Sequence, residues 1–291
     1  MKETVRVALV QLDIVGLDPE RNLAHMREMI HKAVSQGPVD LIVFPELCDS
    51  GYVSKAIAEL GPQLCRISQK IPGPFSEGLS EEAKRHEVYI VAGLLEAHPT
   101  IPLMMYNAAV LIDPSGKLAG VHHKMHIAGE ERHYFCAGNT ADVFSTELGI
   151  IGIQVCMDGS FPELSRVYAL KGAEIICTVY NVPKRAGMDF LLERIYHQAC
   201  CRAIENVGFY IGCNRVGSDE GGTFSGHSCV AGPMGQILAW SETDQEEIIM
   251  AMLKEEDLRI ARSVYPYFKD RRPEHYGILT LTLEQLAHLE G

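Results

Sequence analysis

Positive charge is scarce in this sequence. Lys and Arg number 26 against 38 Asp and Glu, leaving a formal net charge of −12, and no Lys/Arg cluster of the kind that forms a basic patch occurs. Nucleic acid and anionic membrane surfaces both require a basic patch, so neither is expected as a partner. Long apolar runs are missing too: none approaches the roughly 18–20 residues that span a bilayer. The opening segment MKETVRVALVQLD is charged and lacks the apolar centre of a secretory signal. The nine cysteines are odd in number and irregularly spaced, Cys200 and Cys201 form the only close pair, and no C-x-x-C occurs. That pattern offers neither a zinc ribbon nor a redox pair. The expectation is a soluble protein of a reducing cytoplasm with free thiols.

Several reaction types are excluded the same way. There is no G-x-S-x-G elbow, and no P-loop or G-x-G-x-x-G. His122, His123 and His126 are close in sequence, but H-E-x-x-H is absent and no spaced Cys/His/Asp cluster completes a site. No metal and no cofactor are expected.

What is present is an ordinary globular composition, 47% hydrophobic and 22% charged. No linker or low-complexity segment divides the chain, which reads as one domain over residues 1–291. Val5 to Gln11 reads as a strand. Asp18-Pro19 reads as cap and first-turn proline of a helix carrying Leu23, Met26, Ile30 and Ala33, which Gly37-Pro38 ends. Val39 to Phe44 is the next strand and delivers Pro45-Glu46. Residues 48–72 read as irregular, followed by a helix around Ser80 to Arg85, a strand Tyr89–Ala92, and a hairpin of Tyr106–Ile112 with Leu118–His122. The second half repeats this order: strand Ile150–Val155, helix from about Phe161 to Leu170, strand Ala173–Val179, and a helix marked by Leu191, Leu192, Ile195, Ala199 and Ala203. Phe209–Cys213, Ser228–Ala231, Ile237–Trp240 and Ile248–Met252 read as strands, with a short helix near Leu258. Alternating strands and helices predict an α/β fold with a mixed or parallel sheet, and the likeness of Val39–Val43 to Gly172–Ile176 suggests internal pseudo-symmetry.

Cys156 closes the apolar run Ile150–Val155, and Ser160-Phe161-Pro162-Glu163 follows as a helix start. In this reading Ser160 caps, Pro162 occupies the first turn and Glu163 closes a capping box. A thiol at a strand's carboxyl end, just before a helix, sits where open α/β sheets bind ligands. Asp158 and Arg166 read as structural partners across the first turns of that helix.

Three segments stand out: Phe44-Pro45-Glu46, His123-Lys124-Met125-His126 and Val155-Cys156-Met157-Asp158. Together they resemble the signature of the carbon–nitrogen hydrolases, the nitrilase superfamily, which uses Glu, Lys and Cys in this chain order. Gly129-Glu130-Glu131-Arg132 resembles the segment bearing that family's second glutamate, and Phe161-Pro162-Glu163-Leu164-Ser165-Arg166 its FPE-x-x-R helix. Phe224-Ser225-Gly226-His227-Ser228 through Gly232-Pro233-Met234-Gly235 resembles its F-x-G-x-S…P-x-G hairpin, and Arg271 to Tyr276 its R-R-P-E-x-Y end. The resemblance covers residues 4–276 and implies a four-layer α-β-β-α sandwich. It also implies a homodimer or higher homo-oligomer, with the tail of about 264–291 in oligomer contacts.

The chemistry fits these residues. A free thiol ionises near pH 8.5, so Cys156 needs a base, the role given to Glu46. Attack on an amide carbon creates an oxyanion, which the Lys124 ammonium and the Met157 N–H are placed to hold. Glu131 orients Lys124 or assists the base; Glu130 is the alternative, separated only by register. Met157-Asp158 stands where nitrilases of the family place Trp and Glu; its Asp resembles the amidase and carbamoylase branches, which more often carry an aromatic residue where Met157 sits. The expected reaction is hydrolysis of a small linear amide or N-carbamoyl compound through a Cys thioester; the alternatives are a nitrilase acting on a C≡N substrate and a non-catalytic member that only binds a ligand. Tyr52, Met157, Tyr180 and Asn181, with His133 and Met188, are candidate pocket residues, and Arg132 and Arg185 are candidates for a substrate carboxylate.

Overall fold

Residues 1–52, 57–184, 187 and 193–288 are described by a computed structural model of the chain. The Leu191 and Leu192 helix markers, and the candidates Arg185 and Met188, lie outside them. Strand β1 (Thr4–Gln11) leads through helix α1 (Pro19–Ser35) to β2 (Leu41–Val43). Asp18 caps α1 by accepting the Arg21 N–H at 3.1 Å, with Pro19 in the first turn. Helices α2 (Ile57–Ile67) and α3 (Pro74–His86) precede β3 (Tyr89–Ala97), β4 (Met105–Ile112) and β5 (Leu118–His123). The sequence predicts irregular chain over 48–72, whereas α2 is helical with Pro62 inside it; a proline breaks the pattern by which a helix is read. Helix α3 begins at Pro74, six residues ahead of the predicted Ser80, because Ser76 Oγ accepts the Gly73 N–H at 2.9 Å and anchors an earlier first turn.

The second half runs β6 (Val143–Thr146), β7 (Gly149–Val155), α4 (Pro162–Leu170), β8 (Ile175–Tyr180), α5 (Arg194–Asn206) and β9 (Phe209–Asn214). The chain continues as β10 (Val216–Asp219), β11 (Gly222–Ser225), β12 (Cys229–Ala231), β13 (Ile237–Trp240), β14 (Glu247–Lys254), α6 (Glu255–Val264), α7 (Tyr267–Asp270) and α8 (Leu283–Ala287). Strands β6, β10 and β11, each of four residues, are too short for the sequence pattern to reveal.

Among the described residues two six-stranded sheets form, ordered β14-β1-β2-β3-β4-β5 and β13-β12-β9-β8-β7-β6, beside a two-stranded ribbon β10-β11. In each sheet three parallel strands form the centre: β1, β2 and β3 in one, β7, β8 and β9 in the other. Antiparallel β14 flanks β1 as β6 flanks β7. The same order thus occurs twice, which gives the suggested pseudo-symmetry a topological form.

Alternate side chains of the central strands point to opposite faces, and both faces are buried, so these strands are predominantly apolar. Val7, Leu9, Val43 and Val91 meet Ile153, Val155, Cys177 and Ile211 between the sheets. The opposite face of the first sheet, with Ala8, Val10, Ile42 and Ile90, packs on Met26, Ile30, Phe75 and Leu79 of α1 and α3. The opposite face of the second, with Ile176, Tyr180 and Tyr210, packs on Leu164, Tyr168, Ile195 and Ala199 of α4 and α5. This is a four-layer α-β-β-α sandwich. No described helix is long and apolar enough to cross a membrane.

Candidate active site

The ends of β2, β5 and β7 converge. Chain leaving β2 carries Glu46, which is fully buried. Its backbone is pressed against Gly93 of β3: a Cβ there would lie 2.4 Å from Glu46 Cα and 2.8 Å from Pro45 O. The Glu46 N–H donates to Tyr180 O at 3.2 Å. In return Asn181 Nδ2 donates to Glu46 O at 3.2 Å. The ends of the pseudo-equivalent strands β2 and β8 are therefore tied together across the sandwich.

Lys124 follows β5 and is also fully buried. Its Nζ donates to Glu46 Oε1 at 2.8 Å and to Glu131 Oε1 and Oε2 at 3.0 and 2.9 Å. Burial disfavours this ammonium, but Glu46 and Glu131 outweigh burial and hold its pKa well above the ordinary lysine value. Glu131, rather than Glu130, fills the second carboxylate position: it is 1% exposed, while Glu130 lies at the surface and pairs with His133 at 3.1 Å. Tyr52 OH donates to Glu131 Oε1 at 2.8 Å. Asn107, which the sequence reading did not single out, donates from Nδ2 to Glu46 Oε1 at 2.7 Å. Among the described residues Glu46 Oε2 has no partner. Burial raises the Glu46 pKa against the pull of Lys124, with Glu131 adding to the rise.

Cys156 begins a 3₁₀ turn, Cys156–Ser160, directly after β7, and holds a positive φ of 47°. Left-handed backbone is costly for a non-glycine residue and concentrates where function fixes a side chain. Burial pushes the thiol pKa up; Glu46 and Glu131 push it further, and Lys124 and the Asn181 backbone amide act the other way. As the second residue of the turn, Met157 has no acceptor within it for its N–H.

The predicted capping box does not form. The 3₁₀ turn takes up Ser160, so Phe161 stands at the N-cap of α4 with no side-chain bond. Ser160 Oγ instead accepts from Arg194 and, at 3.2 Å, from Gln198. The Asp158–Arg166 pair does not form either. Arg166 donates to Glu205 O at 2.5 Å. Asp158 accepts from His122 Nε2 at 2.9 Å, His126 Nδ1 at 2.7 Å, and the N–H groups of Met125, His126 and Val155 at 3.1, 2.9 and 3.1 Å. Burial works against the charge of Asp158, but the bonds from His122 and His126 outweigh it and hold its carboxyl well below the usual range. These histidines thus fix the chain on both sides of Lys124 to the turn that carries Cys156.

Tyr180 is not an open pocket residue. It is 2% exposed, and its hydroxyl meets Gln198 and Tyr210, each at 2.9 Å. Its contribution near Glu46 is the carbonyl. Asn181 is buried, with Oδ1 unpartnered among the described residues. Met157 lies on the wall of a cavity of about 480 Å³ with His126, Arg132, Phe135 and Phe161; that wall includes none of Glu46, Lys124 or Cys156.

The carbon–nitrogen hydrolase family profile matches residues 6–263. The chain belongs to the carbon–nitrogen hydrolase family. It is 33% identical to a nitrilase of Pyrococcus abyssi (strain GE5 / Orsay) over 279 residues, covering 94% of this chain and 99% of the relative. A solved carbon–nitrogen hydrolase from Helicobacter pylori G27 superposes with a TM-score of 0.85 at 27% identity, covering 96% of this chain and 99% of that one. A mutant amidase from Nesterenkonia sp. AN1 superposes with a TM-score of 0.77 at 26% identity, covering 95% and 97%. That structure shows the acetamide moiety of fluoroacetamide covalently added at its active-site cysteine. This carbon–nitrogen hydrolase therefore acts on non-peptide carbon–nitrogen bonds with a cysteine nucleophile.

Proposed function

We propose that the protein hydrolyses a small linear amide or N-carbamoyl compound, with Cys156 as nucleophile, Glu46 as general base and acid, Lys124 as oxyanion ligand and Glu131 as the group that orients Lys124. The observation that carries this reading is the division of labour at Glu46. Oε1 is held by Lys124 and Asn107, while Oε2 is buried and without a partner among the described residues. A lone carboxylate oxygen kept dry is costly unless something arrives to use it. The thiol proton is what Oε2 would take as the sulfur attacks the carbonyl carbon. The oxyanion forms beside the Lys124 ammonium and the Met157 N–H. Collapse breaks the C–N bond, the proton on Glu46 passes to the departing nitrogen, and ammonia or an amine leaves a thioester on Cys156. Water then attacks with Glu46 again accepting a proton, releasing the acid and restoring the thiol. The unpartnered Asn181 Oδ1 supplies an acceptor for the substrate's NH₂.

The test is a panel of short amides, carbamoyl amines and nitriles read by ammonia release, with intact-mass detection of the acyl-enzyme. Turnover of amides or carbamoyl amines that disappears in Cys156→Ser supports the reading. Turnover confined to nitriles would assign the other branch of the family. Unchanged turnover in Cys156→Ser would remove the nucleophile.

A further inference from the structure

Helices α1 and α3, the outer layer on the first sheet, bring together His31, Glu82 and His86. The candidate donor atoms of the three lie within 4.8 Å of one another. Glu82 is wholly buried, and among the described residues its Oε2 has no hydrogen-bond partner; nor has His86 Nε2. Both point at the same place. His86 Nε2 stands 3.5 Å and His31 Nε2 3.8 Å from Glu82 Oε2, and the two imidazole rings are perpendicular, with centroids 4.6 Å apart.

These separations exceed the roughly 2.7–3.2 Å of an N–H···O bond. They suit a set of ligands around an ion. With bonds of about 2.0–2.1 Å, the donor atoms of a tetrahedral zinc site stand about 3.3–3.4 Å apart. The two distances to Glu82 Oε2 are within about half an ångström of that spacing. Rotation of the imidazoles, whose donor atoms lie within 4.8 Å of each other, would complete three corners, and His31, at a half-exposed position, leaves the fourth open to water. The other carboxylate oxygen is already fixed: Glu82 Oε1 accepts from Arg85 Nη1 at 2.8 Å and faces Arg27 Nε at 3.4 Å. Such outer partners orient a ligating carboxylate. They also bring positive charge close, which limits affinity for a cation.

We propose that His31, Glu82 and His86 bind a divalent transition-metal ion of the zinc class, joining α1 to α3. Two imidazoles and one carboxylate are the donors zinc prefers over calcium or magnesium. The site shares no residue with the reaction proposed above and stands or falls separately from it. The sequence offered no sign of it, because Glu82 and His86 are one helical turn apart while His31 comes from another helix.

The full chain, freed of metal by chelator dialysis, is titrated with zinc chloride by calorimetry and thermal melting. Wild type should bind one zinc that His31→Gln and His86→Gln each weaken at least tenfold, and the zinc-induced rise in melting temperature should vanish in both. Metal-free ammonia release should be unchanged in these variants. Cobalt(II) substitution should give a spectrum without thiolate charge transfer, which separates this site from the free cysteines. Absence of stoichiometric binding to wild type, or undiminished binding in both variants, would overturn the proposal. Glu82→Gln also disturbs Arg27 and Arg85, so the two histidine variants carry the test.

Discussion

At the scale of single residues, the proposed site depends on one ammonium shared by two buried carboxylates. Glu46→Gln preserves the bonds from Lys124 and Asn107 in part but removes the base, so alkylation of Cys156 and acylation by substrate should both slow far more than substrate binding weakens. Stopped-flow acylation alongside KM is the measurement. Lys124→Ala removes the charge facing the oxyanion, and losing one such donor costs on the order of 10²–10³ in kcat. It also leaves Glu46 and Glu131 as neighbouring carboxylates with nothing between them, raising the pKa of one. The base is then partly protonated near neutral pH, so the residual rate should climb as pH rises; a wild-type rate with an unchanged pH profile would take Lys124 out of the site. Glu46, Lys124 and Cys156 were legible in the sequence because each sits in a short motif at a strand end. Asn107 was not: it is mid-strand in β4, and nothing local distinguishes an asparagine that reaches a glutamate 61 residues away.

At the scale of elements, the turns after β2 and β7 hold these residues in place. A methyl at Gly93 would collide with the backbone of Pro45, Glu46 and Leu47, which cannot swing aside as a side chain can. Gly93→Ala should therefore lower both melting temperature and kcat, whereas overpacking at a site unconnected to Glu46 would lower only the first; overpacking typically costs about 1–3 kcal/mol. Asp158 is the fastening of the second turn. Breaking a buried, paired charge costs about 3–5 kcal/mol, and Asp158→Asn should lose stability on that scale in denaturant titrations near pH 7. A carboxyl with a lowered folded pKa contributes stability that is complete above its unfolded value of about 3.9 and is lost as pH falls below it. The gap between wild type and Asp158→Asn should accordingly narrow below about pH 4. The sequence showed the strand and the helix here, but it assigned Asp158 to Arg166 and Ser160 to the cap. Both errors share a cause: a five-residue 3₁₀ turn carries no periodic signal, yet it decides where every polar side chain after Cys156 points.

At the scale of the whole molecule, short continuous apolar runs disclosed the central strands, and apolar residues at helical spacing their helices, while the pairing of two sheets is a tertiary event that no local pattern encodes. The tail leaves Tyr265, Tyr267, Ile278, Leu279 and Leu283 at the surface, close to a cavity of about 710 Å³ bounded by α4 and residues 267–280. We expect this face to be covered by a second copy of the chain. Light scattering at micromolar concentration should give at least a dimer, and Leu279→Asp with Leu283→Asp should shift the mass toward one chain; a wild-type monomer would refute this. The knot of bonds between Glu46 and the chain leaving β8 has a different consequence. Glu46 and Lys124 issue from one half of the duplicated topology, Cys156 and Asn181 from the other, and the meeting line is made of backbone as well as side chains. Neither half alone encloses a complete reaction centre. Catalytic output therefore serves as a reporter of docking: in a urea series, ammonia release should fall no later than far-ultraviolet ellipticity, because any opening of the seam silences the enzyme before either half has lost its own strands.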